Sequence, residues 1–270
     1  MAEQGDGYRI ERDEGVLTLT FDRPWGNAIP SSIVPHLIAL FEGVAADDSV
    51  RAMLVRAEGP HFSLGGDVKN FATDLDKPAA ELQQDFHRRL DSVSRMVAAF
   101  RQIPVPIVVA CQGGVAGAGL MYPLGADVVL GDPTSFLVFA HQRVGLTPDG
   151  GVSYLLPRVV GERMARELIL TAAKVDAPDA LRLGILSRVV DPEQLQAEAA
   201  DQVRRLARAP REVVCTAKAL VNASLDTSIN AQLDAERDGI VASVGHPDFA
   251  EGVRAFLEKR PPTFGGARSA

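Results

Sequence analysis

Apolar and polar side chains alternate along Val16-Leu17-Thr18-Leu19-Thr20-Phe21, and an extended run from Tyr8 to Arg12 precedes it across Asp13-Glu14-Gly15. A period of two on both sides of a turn signal predicts a β-hairpin. The spacing then lengthens. Ile33, Leu37, Leu40 and Phe41 share one face of a helix that begins with Ser31 or Ser32 as N-cap and ends near Asp47. Pro35 falls in its first turn, where a missing N–H costs little. Residues 52–56 make a short apolar strand, and a long helix over 79–101 stops at the Pro104 and Pro106 pair. The wholly apolar stretch 107–111 reads as a strand covered on both faces. Glycine-rich 113–119 opens a helix from about 118 to 126, and strands follow at 128–130 and 136–139.

Beyond Gly150 the pattern is mostly helical, with helices over 162–171, 177–183, 192–208, 212–222, 229–244 and 249–259. Only 187–190 interrupts them as a strand, and the tail after Pro261 reads as frayed. Repeated β–α–β units with right-handed crossovers build layered α/β folds. The expected organisation is an α/β core over 1–195 and a helical region over 196–270, with no linker between them.

Composition narrows the class. The chain has 270 residues, 46% hydrophobic and 23% charged, enough to bury a large core. Cys111 and Cys215 cannot make a disulfide framework and read as buried free thiols of a reducing cytosol, so a cytoplasmic protein is expected. Residues 1–7 are polar and acidic, unlike a secretory signal, and apolar runs such as 105–111 are too short to span a bilayer. A formal net charge of −7 argues against sequence-independent nucleic-acid binding. It leaves room for an anionic small ligand met by a few local Arg or Lys residues. No metal and no membrane partner are expected.

Two glycine-rich loops carry the candidate chemistry. His61-Phe62-Ser63-Leu64-Gly65-Gly66-Asp67 and Gly113-Gly114-Val115-Ala116-Gly117-Ala118-Gly119 each follow a predicted strand. Either loop alone reads as close backbone packing. Neither is a dinucleotide fingerprint, because no G-x-G-x-x-G follows the first strand and the second loop lacks the acidic residue at the right distance. In order, however, F-S-x-G-x-D, the I-P-x-P at 103–106 and G-x-A-G-A-G resemble the crotonase (enoyl-CoA hydratase/isomerase) superfamily. The resemblance extends to Phe21-Asp22-Arg23-Pro24 with Asn27-Ala28, to Gly145-Leu146-Thr147-Pro148-Asp149-Gly150-Gly151 with Leu156-Pro157-Arg158, and to the C-terminal His246-Pro247-Asp248-Phe249 and 255–261 segments. It covers roughly residues 8 to 262.

The resemblance implies a crotonase-like spiral of ββα units with a C-terminal helical region used in a homotrimer or dimer of trimers. It also implies an acyl-CoA thioester ligand, with coenzyme A entering as part of the substrate and no tightly bound cofactor. In the family, backbone N–H groups of the two glycine loops hold the thioester oxygen, and the matching positions are Gly66 and Ala118. Two preorganised donors suit an enolate-like anion, and a helix starting at Ala118 would add its dipole. Coenzyme A contacts would fall on Arg23, Trp25, Ala28, Leu64, Gly66, Asp67 and Val68. Arg23 and Lys259 are candidate phosphate partners, Lys259 from a neighbouring subunit. Trp25 either stacks on adenine or covers the hairpin, and Asp67 reads as a loop staple.

The carboxylates decide the reaction class. Hydratases of the family use two glutamates. Met121 and His141 stand at those positions, Met121 as pocket wall. Asp149 remains, either as N-cap of the helix near Gly150 or as a catalytic carboxylate walled by Met121, Phe139 and Leu146. It resembles the aspartate of Δ3-to-Δ2 enoyl-CoA and ring isomerases, where one carboxylate moves a proton between the α and γ carbons. His141 either assists Asp149 or shapes the pocket. The alternatives are an atypical hydratase using His141 and a non-catalytic acyl-CoA-binding paralogue. Aryl-CoA dehalogenases of the family pair this aspartate with a histidine on the long helix, but Ser94 stands at that register and His87 reads as a solvated face. The depth of the acyl subsite would depend on how 71–83, a polar stretch expected to be mobile, and the C-terminal helices pack.

Overall fold

The computed structural model describes residues 2–66 and 71–265. The chain runs β1 (Ala2–Gly5), β2 (Tyr8–Asp13), β3 (Val16–Phe21), α1 (Val34–Ala46), β4 (Ala52–Ala57), α2 (Ala79–Gln102), β5 (Ile107–Cys111) and β6 (Gly114–Ala116). It continues through α3 (Met121–Gly125), β7 (Val128–Gly131), β8 (Phe136–Val138), α4 (Val152–Val160), α5 (Glu162–Leu170), β9 (Lys174–Asp176), α6 (Ala177–Arg182) and β10 (Arg188–Val189). Four helices close it: α7 (Leu195–Ala207), α8 (Arg211–Ala223), α9 (Ile229–Val244) and α10 (Pro247–Glu258).

The expected hairpin is β2–β3, in register from Tyr8 opposite Phe21 to Asp13 opposite Val16. It leads a seven-stranded sheet of order β1-β2-β3-β4-β5-β7-β10, antiparallel through β3 and parallel beyond it. A smaller sheet, β6-β8-β9, stands apart. Alternation explains how the large sheet fills two cores. Leu17, Leu19, Met53, Val55, Ile107 and Val109 face the larger core, while Val16, Ala52, Leu54, Val108 and Ala110 face Leu195, Ala199 and Val203 of α7. Parallel strands covered on both faces are apolar at every position, as β5 is. This is the α/β crotonase-like core with a C-terminal helical region.

Some local expectations are corrected. Residues 2–5, where the sequence pattern predicts no element, form an edge strand, and β9 is a second strand in the region read as helical. The first helix starts at Val34 behind Ile33, so neither Ser31 nor Ser32 caps it. Cys111 is buried, but Cys215 is only half-buried. Burial pushes both thiols up from their ordinary range.

The helical region is fastened to the sheet by half-buried cations. Lys218 of α8 donates to the Val105 carbonyl at 2.9 Å and pairs with Asp127 at 2.7 Å. Arg51 donates to the Ala209 carbonyl at 2.7 Å. Much of the remaining apolar surface of α8, α9 and α10 faces outward, including Val221, Ile229, Ile240, Val241, Phe256 and Leu257.

Candidate active site

Three chain segments lace together around the first glycine loop. Asn27 is buried in a left-handed conformation, φ 53°. Its Nδ2 donates to the carbonyls of Glu58 at 2.9 Å and His61 at 2.8 Å, and its Oδ1 accepts the Arg23 N–H at 2.7 Å. Such local amide bonding is what makes αL tolerable for asparagine. Ile29 N–H donates to the Gly65 carbonyl at 2.8 Å and Leu64 N–H to the Gly26 carbonyl at 2.9 Å. The buried Ser63 hydroxyl donates to the Asn27 carbonyl at 3.0 Å. These bonds seat the Arg23–Ala28 segment beside the loop, and a groove of about 630 Å³ opens between them, lined by Arg23, Trp25, His61 and Leu64.

The second loop is zipped to the first. Ser63 bridges Val115 in parallel, with Ala116 N–H donating to the Ser63 carbonyl at 2.9 Å. His61 Nδ1 accepts the Gly114 N–H at 2.9 Å. Contact is so close that a Cβ on Gly65 would lie 2.6 Å from the Ala116 carbonyl oxygen. A Cβ on Gly117 would lie 3.7 Å from the Gly66 nitrogen, so the Gly66 and Ala118 backbones are neighbours. Among the described residues, no backbone carbonyl outside the helices and strands accepts the N–H of Gly66 or of Ala118. The expected helix at Ala118 is a 3-10 turn, Gly117–Leu120, running into the five-residue α3, too short for a sizeable macrodipole.

Gly150, the neighbour of Asp149 in the chain, comes close to the second loop: a Cβ on it would be 3.4 Å from the Ala118 Cα. The Asp149 side chain is not the cap of α4. Gly151 occupies that position with no side-chain bond. The Asp149 Oδ1 instead sits 3.0 Å from His141 Nε2, the two side chains 33% and 10% exposed. His141 opens a 3-10 turn, 141–144, that brings it back over Asp149. Phe139 and Met121 are fully buried, but Leu146 is exposed, so the expected apolar enclosure of Asp149 is partial.

The other expected contacts scatter. Trp25 is 80% exposed at the groove with φ 65°, a strained value for a bulky residue. Leu64 and Lys259 are exposed and Ala28 is half-buried. Arg23 pairs with Asp6 at 3.1 Å. Asp67 and Val68 lie outside the described residues. His87 is exposed on α2, as expected. Residues 71–77 are fastened down rather than loose. Buried Asp74 pairs with Arg89 at 2.6 Å and with Lys77 at 2.9 Å, and Lys77 pairs with Asp85 at 2.6 Å. Lys77 and Arg89 hold the Asp74 carboxyl below the usual range, and Lys77 does the same to Asp85. Because both folded-state values are depressed, this fastening is complete at neutral pH and is lost only as pH falls through them.

The enoyl-CoA hydratase/isomerase profile matches residues 11–267. The chain belongs to that family. It is an acyl-CoA enzyme of the hydratase/isomerase type. Among its relatives is the 1,2-epoxyphenylacetyl-CoA isomerase of Escherichia coli K12, 34% identical over 94% of this chain and 96% of that one. Another is the trans-2-decenoyl-[acyl-carrier-protein] isomerase of Streptococcus mutans, 32% identical over 94% and 96%. The crystal structure of an enoyl-CoA hydratase from Mycobacterium smegmatis superposes with a TM-score of 0.87, 29% identity, and coverage of 96% and 99%. Within this family, the residues that sequence reading passed over are Asn27, Ser63 and His61. All three lie inside quoted motifs, but their role is to bond backbone, which residue type alone does not disclose.

Proposed function

We propose that the protein is an enoyl-CoA isomerase in which Asp149 carries the proton. The observation that supports this best is the Asp149 carboxylate held 3.0 Å from His141 in a loop whose Gly150 comes up against the Ala118 backbone of the second glycine loop. A 3-enoyl thioester whose carbonyl oxygen accepts from Gly66 and Ala118 loses its α proton to Asp149. The resulting dienolate keeps its negative charge on that oxygen, where the two donors stabilise it. The protonated Asp149 then returns the proton to the γ carbon, and the double bond moves from C3–C4 to C2–C3. One base suffices, and neither hydratase glutamate is needed, since Met121 and His141 occupy their places. The names of two relatives, both isomerases, agree. Incubating 3-enoyl-CoA thioesters with the enzyme in deuterated water tests it, reading double-bond position together with deuterium at the α and γ carbons. Absence of both migration and α exchange overturns it.

His141 holds Asp149 in place through the 3.0 Å contact. A hydrogen bond to a charged group is worth about 1.5–3 kcal/mol, so His141→Ala lowers isomerase kcat by roughly tenfold to a hundredfold with KM little changed. Steady-state kinetics checks this. The same His–Asp pair supports a second reading, in which His141 activates water for hydration. Crotonyl-CoA hydration at ordinary hydratase rates, abolished in His141→Ala, would favour that reading.

Coenzyme A is assigned to the groove between Trp25 and Leu64, with Trp25 as the adenine platform and Lys259 reaching phosphate from a neighbouring subunit. The outward apolar faces of α8, α9 and α10 are assigned to contact between copies in a homotrimer. Light scattering on the purified protein is expected to give three or six times the 28.8 kDa chain mass. A monomer would remove this assignment.

A further inference from the structure

Two aromatic rings stand beside the reaction centre and take no part in the chemistry above. The Phe71 ring reaches over Gly66, its Cζ 3.7 Å from where a Cβ on Gly66 would lie. It meets the ring of Phe86, on α2, with centroids 5.0 Å apart and planes at 53°. Neither belongs to the hydrophobic core, where Phe21, Phe62, Phe100 and Tyr122 pack on one another fully buried. Phe71 and Phe86 are half-buried, so each keeps ring surface open for contact.

Their placement is rigid. Asp74 N–H donates to the Phe71 carbonyl at 3.1 Å, and the Asp74 carboxylate is tied to Arg89, one turn along α2 from Phe86. Lys77 joins the same segment to Asp85, the residue before Phe86. The Arg89 guanidinium stands 5.6 Å from the Phe86 centroid and engages that ring's face. A two-ring surface anchored by ion pairs on both sides is a preformed wall, with little ordering left to do when a ligand arrives.

We propose that Phe71 and Phe86 line the acyl subsite and select a flat aromatic or conjugated cyclic acyl group over a flexible saturated chain. The proposal deepens the reading above and rests on the thioester carbonyl lying at Gly66, which brings the acyl carbons next to the Phe71 ring. A planar π system meets such a pair in edge-to-face or offset geometry, with attraction beyond simple area burial. An alkyl chain of the same carbon count gains no such term and loses rotamer freedom against the wall.

Phenylacetyl-CoA and hexanoyl-CoA test this by calorimetry. Neither has an isolated double bond to move, so binding is read apart from turnover. The native enzyme is expected to bind phenylacetyl-CoA about tenfold more tightly. In Phe71→Leu and Phe86→Leu, which keep apolar bulk, that ratio falls to about twofold or less. Equal binding of the two thioesters by the native enzyme overturns the proposal, as does a ratio preserved in both leucine variants. A preserved preference alongside absent double-bond migration would sink the isomerase reading alone. Failure to bind either thioester would sink both.

Discussion

Asp149→Asn is expected to lower kcat for double-bond migration by about 10³-fold while leaving KM nearly unchanged. The amide is close to isosteric, and its Oδ1 still accepts from His141 Nε2, so the 3.0 Å contact and the turn around it survive. What disappears is the carboxylate that, in the isomerase reading, takes the α proton and gives it back. A general base in position contributes about 10²–10⁴ in rate, and no second carboxylate stands where hydratases carry theirs. The measurement is twofold. Migration of a 3-enoyl-CoA is followed by steady-state kinetics, and α-deuterium uptake into a saturated thioester is followed by mass spectrometry. Both fall together if Asp149 removes the α proton. An Asp149→Asn enzyme that binds ligand normally and keeps full turnover would show that the base lies elsewhere.

Gly65→Ala has the next largest effect and acts through geometry rather than chemistry. Gly65 sits at φ +86°, where an alanine is strained by about 1–2 kcal/mol. Its Cβ would meet the Ala116 oxygen at 2.6 Å and the Gly117 Cα at 3.0 Å, all backbone atoms with no side chain to swing away. Relief comes only by moving the two glycine loops apart, which separates the Gly66 and Ala118 donors. Losing one such donor costs about 2.7–4 kcal/mol of barrier, so kcat falls by roughly 10²–10³. Thermal melting shifts down as well. Gly43→Ala is the control. Gly43 lies inside α1 with nothing near its missing Cβ, so that variant keeps full activity and melts at the same temperature or slightly higher. Unchanged turnover in Gly65→Ala would remove the oxyanion role from this loop pair.

Most of the sheet was legible along the chain because burial on two faces demands apolar residues at every position of β5 and at all but Arg56 of β4. The edges were not. In β1, Ala2–Gly5 carries no apolar period and pairs only with β2. In β9, three residues bury Val175 alone, too few for alternation to register. Capping misled in one place: Ser31 and Ser32 resemble N-caps, yet α1 starts later, behind Ile33. For Asp149 the sequence left the cap as one of two readings, and its carboxylate turns to His141 instead. A short polar side chain has several partners within reach, and only the folded chain decides which it meets.

Residue order alone determined the family and the two glycine loops, because these depend on identity and spacing. It also placed Gly66, Ala118, Asp149 and His141 as candidates. Only the tertiary structure decided that Gly65 presses against Ala116, that Gly150 lies on Ala118, and that Phe71 reaches Gly66 and packs on Phe86. It also decided that the polar stretch after the first loop is clamped by Asp74, Lys77, Asp85 and Arg89 rather than loose. Such contacts join residues far apart in sequence through distances of a few ångströms. No local period encodes them, since they follow from how twisted strands and crossing helices bring separate loops to one place.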